Sequence, residues 1–360
     1  MDRAGRLERL RERLESDALP ALAVSSLTNI SYLTGFSGSA GTLFVLPGRT
    51  VLLTDGRYAT QAEEQTAGVG VDIEIGLSPE DRTRLAGSIV ASAGPATLGL
   101  EAAHLSWAQQ REYATSWFPG VELTATVGVV EDLRRVKDDA ERARIARAAA
   151  AADAALAEVM PMLGEGPTEI ELAGALDVAM RAQGADGPAF ETIVASGPES
   201  AKPHHRPSRR RIGEGEPVVV DFGAALDGYR SDMTRTLSVG GLADPVLERV
   251  WRVVAGAQAA GVATVADRVG ASQVDRACRE VVSAAGWAER FVHGTGHGVG
   301  LDIHEPPWVV ATSTDTLHAG HVVTVEPGVY LPGLGGVRIE DTVVVTDTGC
   351  LNLTLTPKER

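Results

Sequence analysis

The segment Val218-Val219-Val220-Asp221-Phe222-Gly223-Ala224-Ala225-Leu226-Asp227-Gly228-Tyr229-Arg230-Ser231-Asp232-Met233-Thr234-Arg235-Thr236 constrains the fold more than any other stretch of the chain. Asp227-Gly228 is a dipeptide favoured by two-residue hairpin turns, where both turn positions need positive φ. With that turn, Leu226 faces Tyr229, Gly223 faces Asp232 and Asp221 faces Thr234. Side chains alternate along a strand, so Asp221 and Asp232 project from the same side of the ribbon. They are diagonal neighbours, about 7–8 Å or less apart between β-carbons. Two carboxylates aimed at one point call for a cation between them. Asp227 reads as the turn residue alone. A surface hairpin with solvated acids fits these two aspartates equally well, so other segments must decide.

At 360 residues the chain is longer than one typical domain. Its 44% hydrophobic and 22% charged content is that of a globular protein with a large core. Two cysteines, Cys278 and Cys350, form no disulfide framework or zinc motif and read as buried small hydrophobes. The N-terminal residues Met1 to Arg9 lack an apolar leader core. No window holds the roughly 18 uninterrupted apolar residues of a membrane span. A cytoplasmic location with no membrane partner is therefore expected. The net charge of −15 argues against nucleic-acid binding, and the run Arg206-Pro207-Ser208-Arg209-Arg210-Arg211 reads as a solvated loop.

Helical spacing of Leu7, Leu10 and Leu14 predicts a helix over 3–16, followed by a strand over 20–24. Two apolar runs, 42–46 and 50–53, flank Pro47-Gly48-Arg49 as a hairpin. Strand and helix patterns alternate to about Val130, predicting an α/β domain with a mixed sheet over 1–130. The Gly-rich stretch Thr34 to Gly41 lacks the context of a phosphate loop and reads as a close-packed turn. An Ala-rich helix begins after Asp138-Asp139 and opens an α+β domain over 131–360. Thr168 with Glu171 forms a capping-box pattern. Asp244-Pro245 marks another helix start, and Ser272 with Asp275 repeats that logic. Strands are expected over 217–222, 229–239, 321–325 and 337–345.

The stretch Phe291 to Pro307 holds three histidines, His293, His297 and His304, among four glycines. Glycines allow close backbone approach, and imidazoles supply nitrogen ligands or carry protons. Glu326 and Glu340 each stand at a mostly apolar strand end, where an acid is rarely buried unless paired or metal-bound. No register can be derived for the loop between them. With Asp221, Asp232 and His297 they make a candidate set of four carboxylates and one imidazole. Four negative charges in one pocket would repel and raise their own pKa values. Two divalent cations would balance them. Oxygen-rich ligation favours manganese, cobalt, iron or zinc over a thiolate-type site. Two such metals about 3.5–4 Å apart can hold a bridging hydroxide and polarise a carbonyl, which is the chemistry of amide hydrolysis.

The order Asp221, Asp232, His297, Glu326, Glu340 resembles the dinuclear site of the pita-bread metallopeptidases, which include methionine aminopeptidase, aminopeptidase P and prolidase. The resemblance covers residues from about 136 to the end and implies the pita-bread fold, with these five residues as metal ligands. Three features resemble the proline-directed branch. The segment Ala195-Ser196-Gly197-Pro198-Glu199-Ser200-Ala201-Lys202-Pro203-His204 matches the one carrying its substrate-side histidine, His204, with His205 expected as an exposed loop residue. His293 and His304 match its other two histidines. Arg338 and Tyr330 match further active-site positions. The N-terminal half, with Thr34-Gly35-Phe36 and Thr54-Asp55-Gly56-Arg57-Tyr58, is similar to the accessory domain of aminopeptidase P, prolidase and creatinase.

This resemblance implies hydrolysis of Xaa-Pro bonds in proline-containing peptides by a homodimeric enzyme with two divalent ions, manganese foremost. Glu326 would relay the proton of the attacking water, while His204 and His304 would position the carbonyl. The segments 34–41 and 55–58 look more like aminopeptidase P, with Xaa-Pro dipeptidase (prolidase) as the alternative. Arg338 is the arginine that could catch a dipeptide's carboxylate. Creatinase shares the fold without the metal ligands, and pita-bread domains that serve as binding scaffolds need not keep them. The intact set of five argues against both.

Overall fold

The computed structural model describes residues 1–358, and the chain divides into two units, Met1–Arg134 and Arg135–Arg360. In the first, strands β1 (Leu22–Val24), β2 (Thr42–Leu46), β3 (Arg49–Asp55), β4 (Asp72–Gly76), β5 (Thr97–Glu101) and β6 (Glu122–Thr126) form one sheet in the order β4-β3-β2-β1-β5-β6. The sheet is mixed, as its alternating pattern predicts, because only β2 runs against its neighbours. The β2–β3 turn is tighter than the sequence suggests. Leu46 pairs Arg49, so Pro47-Gly48 alone makes the turn, with Gly48 at φ +74°. The predicted first helix forms over Arg3–Ser16 and buries Leu7, Leu10 and Leu14. An additional helix, Val129–Arg135, occupies the stretch read as a change of character.

In the second unit, the Ala-rich helix Asp139–Val159 starts at a capping box of Asp138 and Glu141. It packs through Ala148, Ala152 and Ala155 with the helix Glu169–Ala182, which carries the predicted Thr168–Glu171 box. Strands β7 (Gly187–Pro188), β8 (Ile193–Ser196), β9 (Val218–Phe222), β10 (Ala224–Leu226), β11 (Tyr229–Arg230) and β12 (Met233–Leu237) follow. They form two small sheets, β11-β10-β7 and β12-β9-β8. Strands β13 (Gly296–Gly298), β14 (Glu305–Val309), β15 (Val322–Val325), β18 (Asp341–Thr346) and β19 (Gly349–Asn352) form a third, ordered β14-β13-β15-β18-β19. Between β15 and β18, β16 (Gly328–Leu331) and β17 (Gly335–Arg338) make a hairpin.

Asp244 caps the helix Pro245–Thr264 as expected. The next helix differs. Ala271–Ala284 starts from Gly270, whose N–H donates to the Gln273 side chain, so Ser272 and Asp275 lie inside it. Asp275 is buried because it accepts from the N–H and Oγ1 of Thr295, a role that no local pattern announces. The strands expected over 229–239 and 337–345 are each broken. The breaks fall at Ser231-Asp232 and at Ile339-Glu340, beside or on the acids of interest.

Candidate metal centre

The hairpin pairs as its turn chemistry dictates. Leu226 faces Tyr229, Thr234 faces Asp221 and Met233 faces Phe222. Asp227 and Gly228 hold the turn at φ +52° and +81°. Gly223 leaves room for the crossing chain, since a β-carbon there would lie 1.9 Å from the Ser231 carbonyl oxygen. Asp221 is on β9 and Asp232 just precedes β12, and both line one cavity.

His297 is the middle residue of β13. Its flanking glycines are required by close approach, because a β-carbon on Gly296 would lie 2.0 Å from the Thr324 carbonyl oxygen, and one on Gly298 2.4 Å from that of Pro306. Nδ1 of His297 donates to the Gly298 carbonyl at 3.0 Å. That tautomer leaves the Nε2 lone pair facing Glu326 Oε1 at 3.5 Å and Asp232 Oδ2 at 3.7 Å. Glu326 follows β15, and its N–H donates to the Thr295 carbonyl at 2.7 Å. Glu340 sits between β17 and β18, its N–H donating to the Thr234 carbonyl at 3.0 Å.

The five residues therefore converge from five segments, and all line one cavity of about 350 Å³. Asp232, His297 and Glu340 each offer a ligand atom within 4.8 Å of the others. Burial, then repulsion from Glu340, Asp221 and Glu326, drives the Asp232 carboxyl well above its ordinary pKa. Burial and the neighbouring Glu326 and Asp221 do the same to Glu340. Burial pushes Glu326 up to about 8 and His297 down to about 4. Asp221 Oδ1 and Glu340 Oε1 are buried with no hydrogen-bond partner. Unpartnered carboxylate oxygens beside a neutral imidazole lone pair form a donor set suited to divalent cations. Glu101, His104 and Glu131 cluster in the N-terminal unit, but there Ser25, Ser26, Asn29 and His104 already donate to the carboxylates.

The other predicted site residues divide into cavity walls and buried supports. His204, His293 and His304 all line the cavity, with Phe190, Ile193 and Trp308 on its apolar side. The His304 ring packs edge-on against His297, with centroids 4.4 Å apart. His293 has both nitrogens engaged. Nδ1 donates to the Gly294 carbonyl at 2.7 Å, and Nε2 accepts from the Tyr330 hydroxyl at 2.8 Å. Burial brings its pKa to about 4, so the ring is neutral. Arg338 is also fully occupied. Nη2 donates to Asp221 Oδ2 at 2.6 Å, Nη1 to Tyr330 Oη at 2.9 Å and to the Pro203 carbonyl, and Nε to Thr234 Oγ1 at 3.1 Å.

Two sequence expectations change. His205 is no exposed loop residue: its Nε2 lies 2.9 Å from Glu169 Oε2, and the side chain is 11% exposed. Burial alone would raise Glu169, but hydrogen bonds from Ser208, His205 and Ser196 hold it below its ordinary value. Arg210, within the run read as solvated, is partly buried and paired through two nitrogens with Glu216. Thr234 was missed as a site residue. Its Oγ1 donates to Glu340 Oε2 at 2.7 Å, and hairpin parity had already put it on the face shared by the two aspartates.

Comparison with known proteins adds a separate finding. The model of metallopeptidase family M24 matches residues 143–347, and that of the creatinase/prolidase N-terminal domain matches residues 6–136. The Xaa-Pro dipeptidase of Pyrococcus furiosus is 33% identical over 98% of this chain and 99% of its own length. Among solved structures, a Xaa-Pro dipeptidase from Bacillus anthracis superposes with a TM-score of 0.94 at 35% identity, covering 99% of both chains. The X-Pro aminopeptidase of Thermotoga maritima gives 0.86 at 32% identity, over 94% of this chain and 96% of that one.

Proposed function

The chain belongs to metallopeptidase family M24 and carries the creatinase/prolidase N-terminal domain, and from that premise we propose that it hydrolyses the peptide bond between a first residue and a following proline. It is a metallopeptidase with the pita-bread catalytic fold that its sequence implies. The observation that carries the proposal is the convergence of Asp221, Asp232, His297, Glu326 and Glu340 beside three histidines in one cavity. Those five residues would hold two divalent cations, manganese foremost. Bound there, such ions polarise a carbonyl and make water nucleophilic near neutral pH.

The chain's own groups supply the rest. Glu326 lines the cavity with Oε1 3.5 Å from His297 Nε2, which places its carboxylate to take the proton of a water bound at the centre. His204 and His304 line the cavity with groups that can orient the substrate carbonyl. His293 is kept neutral by burial and has both nitrogens engaged, by Gly294 and Tyr330, so its role is to shape the wall. Phe190, Ile193 and Trp308 offer the apolar surface that a proline ring requires.

Arg338 bears on chain length. A dipeptide ends in a carboxylate next to the proline, but Arg338 already donates to Asp221, Tyr330, Pro203 and Thr234. It is the sole arginine or lysine among the described residues lining the cavity. This supports action on the N-terminus of longer peptides, the aminopeptidase reading. The names of the Pyrococcus furiosus and Bacillus anthracis relatives favour the second reading, Xaa-Pro dipeptidase. Turnover of Xaa-Pro and Xaa-Pro-Yaa peptides, with Xaa-Ala-Yaa as control, separates the two. Strict dipeptide preference would overturn the first reading, and equal cleavage of the alanine control would overturn proline selectivity altogether. The remaining parts of the proposal are a cytoplasmic homodimer, manganese as the working metal and an accessory role for the N-terminal domain. Light scattering of the purified protein tests the dimer, and elemental analysis tests the metal.

A further inference from the structure

Glu340 stands outside the strand ladder and is held to Thr234 through its N–H and its carboxylate. It falls in the break between β17 and β18, so its peptide oxygen has no strand partner and instead accepts from Arg235 Nη1 at 2.5 Å. Arg235 also donates from Nη1 to the Thr234 carbonyl at 3.0 Å. The same guanidinium thus grips the backbone on both sides of the Thr234–Glu340 contact. Its own orientation comes from elsewhere. Nη2 donates to Asp341 Oδ1 at 2.9 Å, while Nε and Nη2 donate to the Thr356 carbonyl at 3.1 and 2.7 Å.

Asp341 is completely buried next to a candidate ligand and is not among the described residues that line the cavity. It accepts from Arg235 and Thr354 Oγ1 on one oxygen. On the other it accepts from Gln258 and Asn352, with Lys358 Nζ at 2.6 Å. Thr354, Thr356 and Lys358 belong to the segment after β19. That segment is fastened in turn to Asp153, on the long helix Asp139–Val159, by the N–H groups of Leu355 and Thr356 and by Thr356 Oγ1.

The geometry points to the segment 354–358 as a brace for the metal centre, acting through the positioning residues Arg235 and Asp341 to set where Glu340 stands. Without it, Arg235 loses the Thr356 acceptor, and the buried Asp341 charge loses one of its two cations. An ion left buried with too few partners shifts or draws in water, and groups that orient metal ligands typically change metal affinity about 10–100-fold when removed. The inference rests on Glu340 being a ligand, as proposed above.

The test uses metal titration of the full chain, of Glu340→Ala and of a chain ending at Leu353, each stripped of metal first. Manganese binding is read by calorimetry and cobalt binding by its visible absorption. The expected result is a Kd raised about 10–100-fold in the shortened chain, with an altered cobalt spectrum. KM for an Xaa-Pro peptide at saturating metal should stay unchanged. If the shortened chain does not fold by circular dichroism, the double exchange Thr354→Val with Lys358→Met strips two donors from Asp341 at full length, and the expected weakening is the same in direction. Thr354→Ser keeps its donor and should bind as the parent does. A folded variant binding metal within twofold of the parent would overturn the brace alone. A parent chain whose metal affinity ignores Glu340→Ala would overturn the ligand assignment, and the brace with it.

Discussion

Arg338 Nη2 donates to Asp221 Oδ2 at 2.6 Å, across 117 residues of sequence, and this contact links the guanidinium to the candidate metal centre. The same side chain holds Tyr330 and Thr234. Lysine offers a single point charge and cannot reproduce this fork. Arg338→Lys should weaken metal binding about 10-fold or more and lower kcat/KM to match, as loss of a group orienting a ligand does. Parallel manganese titration and steady-state kinetics check it, and unchanged values for both would show that Asp221 orients without help.

Glu326→Gln keeps the shape of the site and removes the proton acceptor. At full metal occupancy kcat should fall about 10²–10⁴-fold, the usual contribution of a general base, with KM little changed. Turnover equal to the parent under those conditions would remove Glu326 from the proton path.

Metal removal and pH should act together. The carboxyls of Asp232, Glu326 and Glu340 are raised in the folded chain, Glu326 to about 8. Below their ordinary values, 3.8 for Asp232 and 4.5 for the two glutamates, they are protonated whether the chain is folded or not, so the site carries no penalty. As pH rises through 4.5 toward 8 the unfolded chain ionises first, and the metal-free fold loses stability. The melting temperature of metal-free protein should therefore fall between about pH 6.5 and 8, above the range where the buried His293, His297 and His321 act in the opposite sense. Added manganese should restore it most at the upper end. A metal-free melting temperature that rises across this range would contradict the assignment.

Histidine 321 works in the opposite direction. It is buried, its Nδ1 accepts from the His318 N–H at 3.2 Å, and burial with the nearby Lys137 brings its pKa to about 4. The neutral form is the stable one, so its contribution is intact above the ordinary value of 6.5 and is lost as pH falls toward 4. His321→Gln should flatten the acid side of the stability profile. An equally steep acid loss in the variant would place that sensitivity elsewhere.

Lys137 Nζ meets Glu305 Oε1 at 2.6 Å with both side chains at most 5% exposed, directly after His304 in sequence. Lys137→Met alone removes the cation that faces the buried Glu305 carboxylate and should cost about 3–5 kcal/mol. The double exchange with Glu305→Leu should recover most of that, because the desolvation of both ions disappears together. Denaturant unfolding of the metal-loaded protein measures both.

Where the chemistry is local, the residues themselves were enough. Asp227-Gly228 makes a turn of one hand, and period-two alternation then sets Asp221, Asp232 and Thr234 on one face without reference to the rest of the chain. The caps at Thr168 and Asp244 act within one helical turn and were equally legible. The glycines around His297 announced a close approach but not its partners, Thr324 and Pro306. Packing alone decided that Glu326 and Glu340 meet, because a β-hairpin between them resets the register by an amount no local rule supplies. It also buried His205 against Glu169, turned Asp275 into an acceptor for Thr295 and tied Arg235 to the C-terminal segment. The sequence thus determined which groups could form the centre and which strand faces two of them share. Tertiary structure decided which atoms face one another, because a buried charge takes its partner from whatever the packed chain brings within about 3 Å.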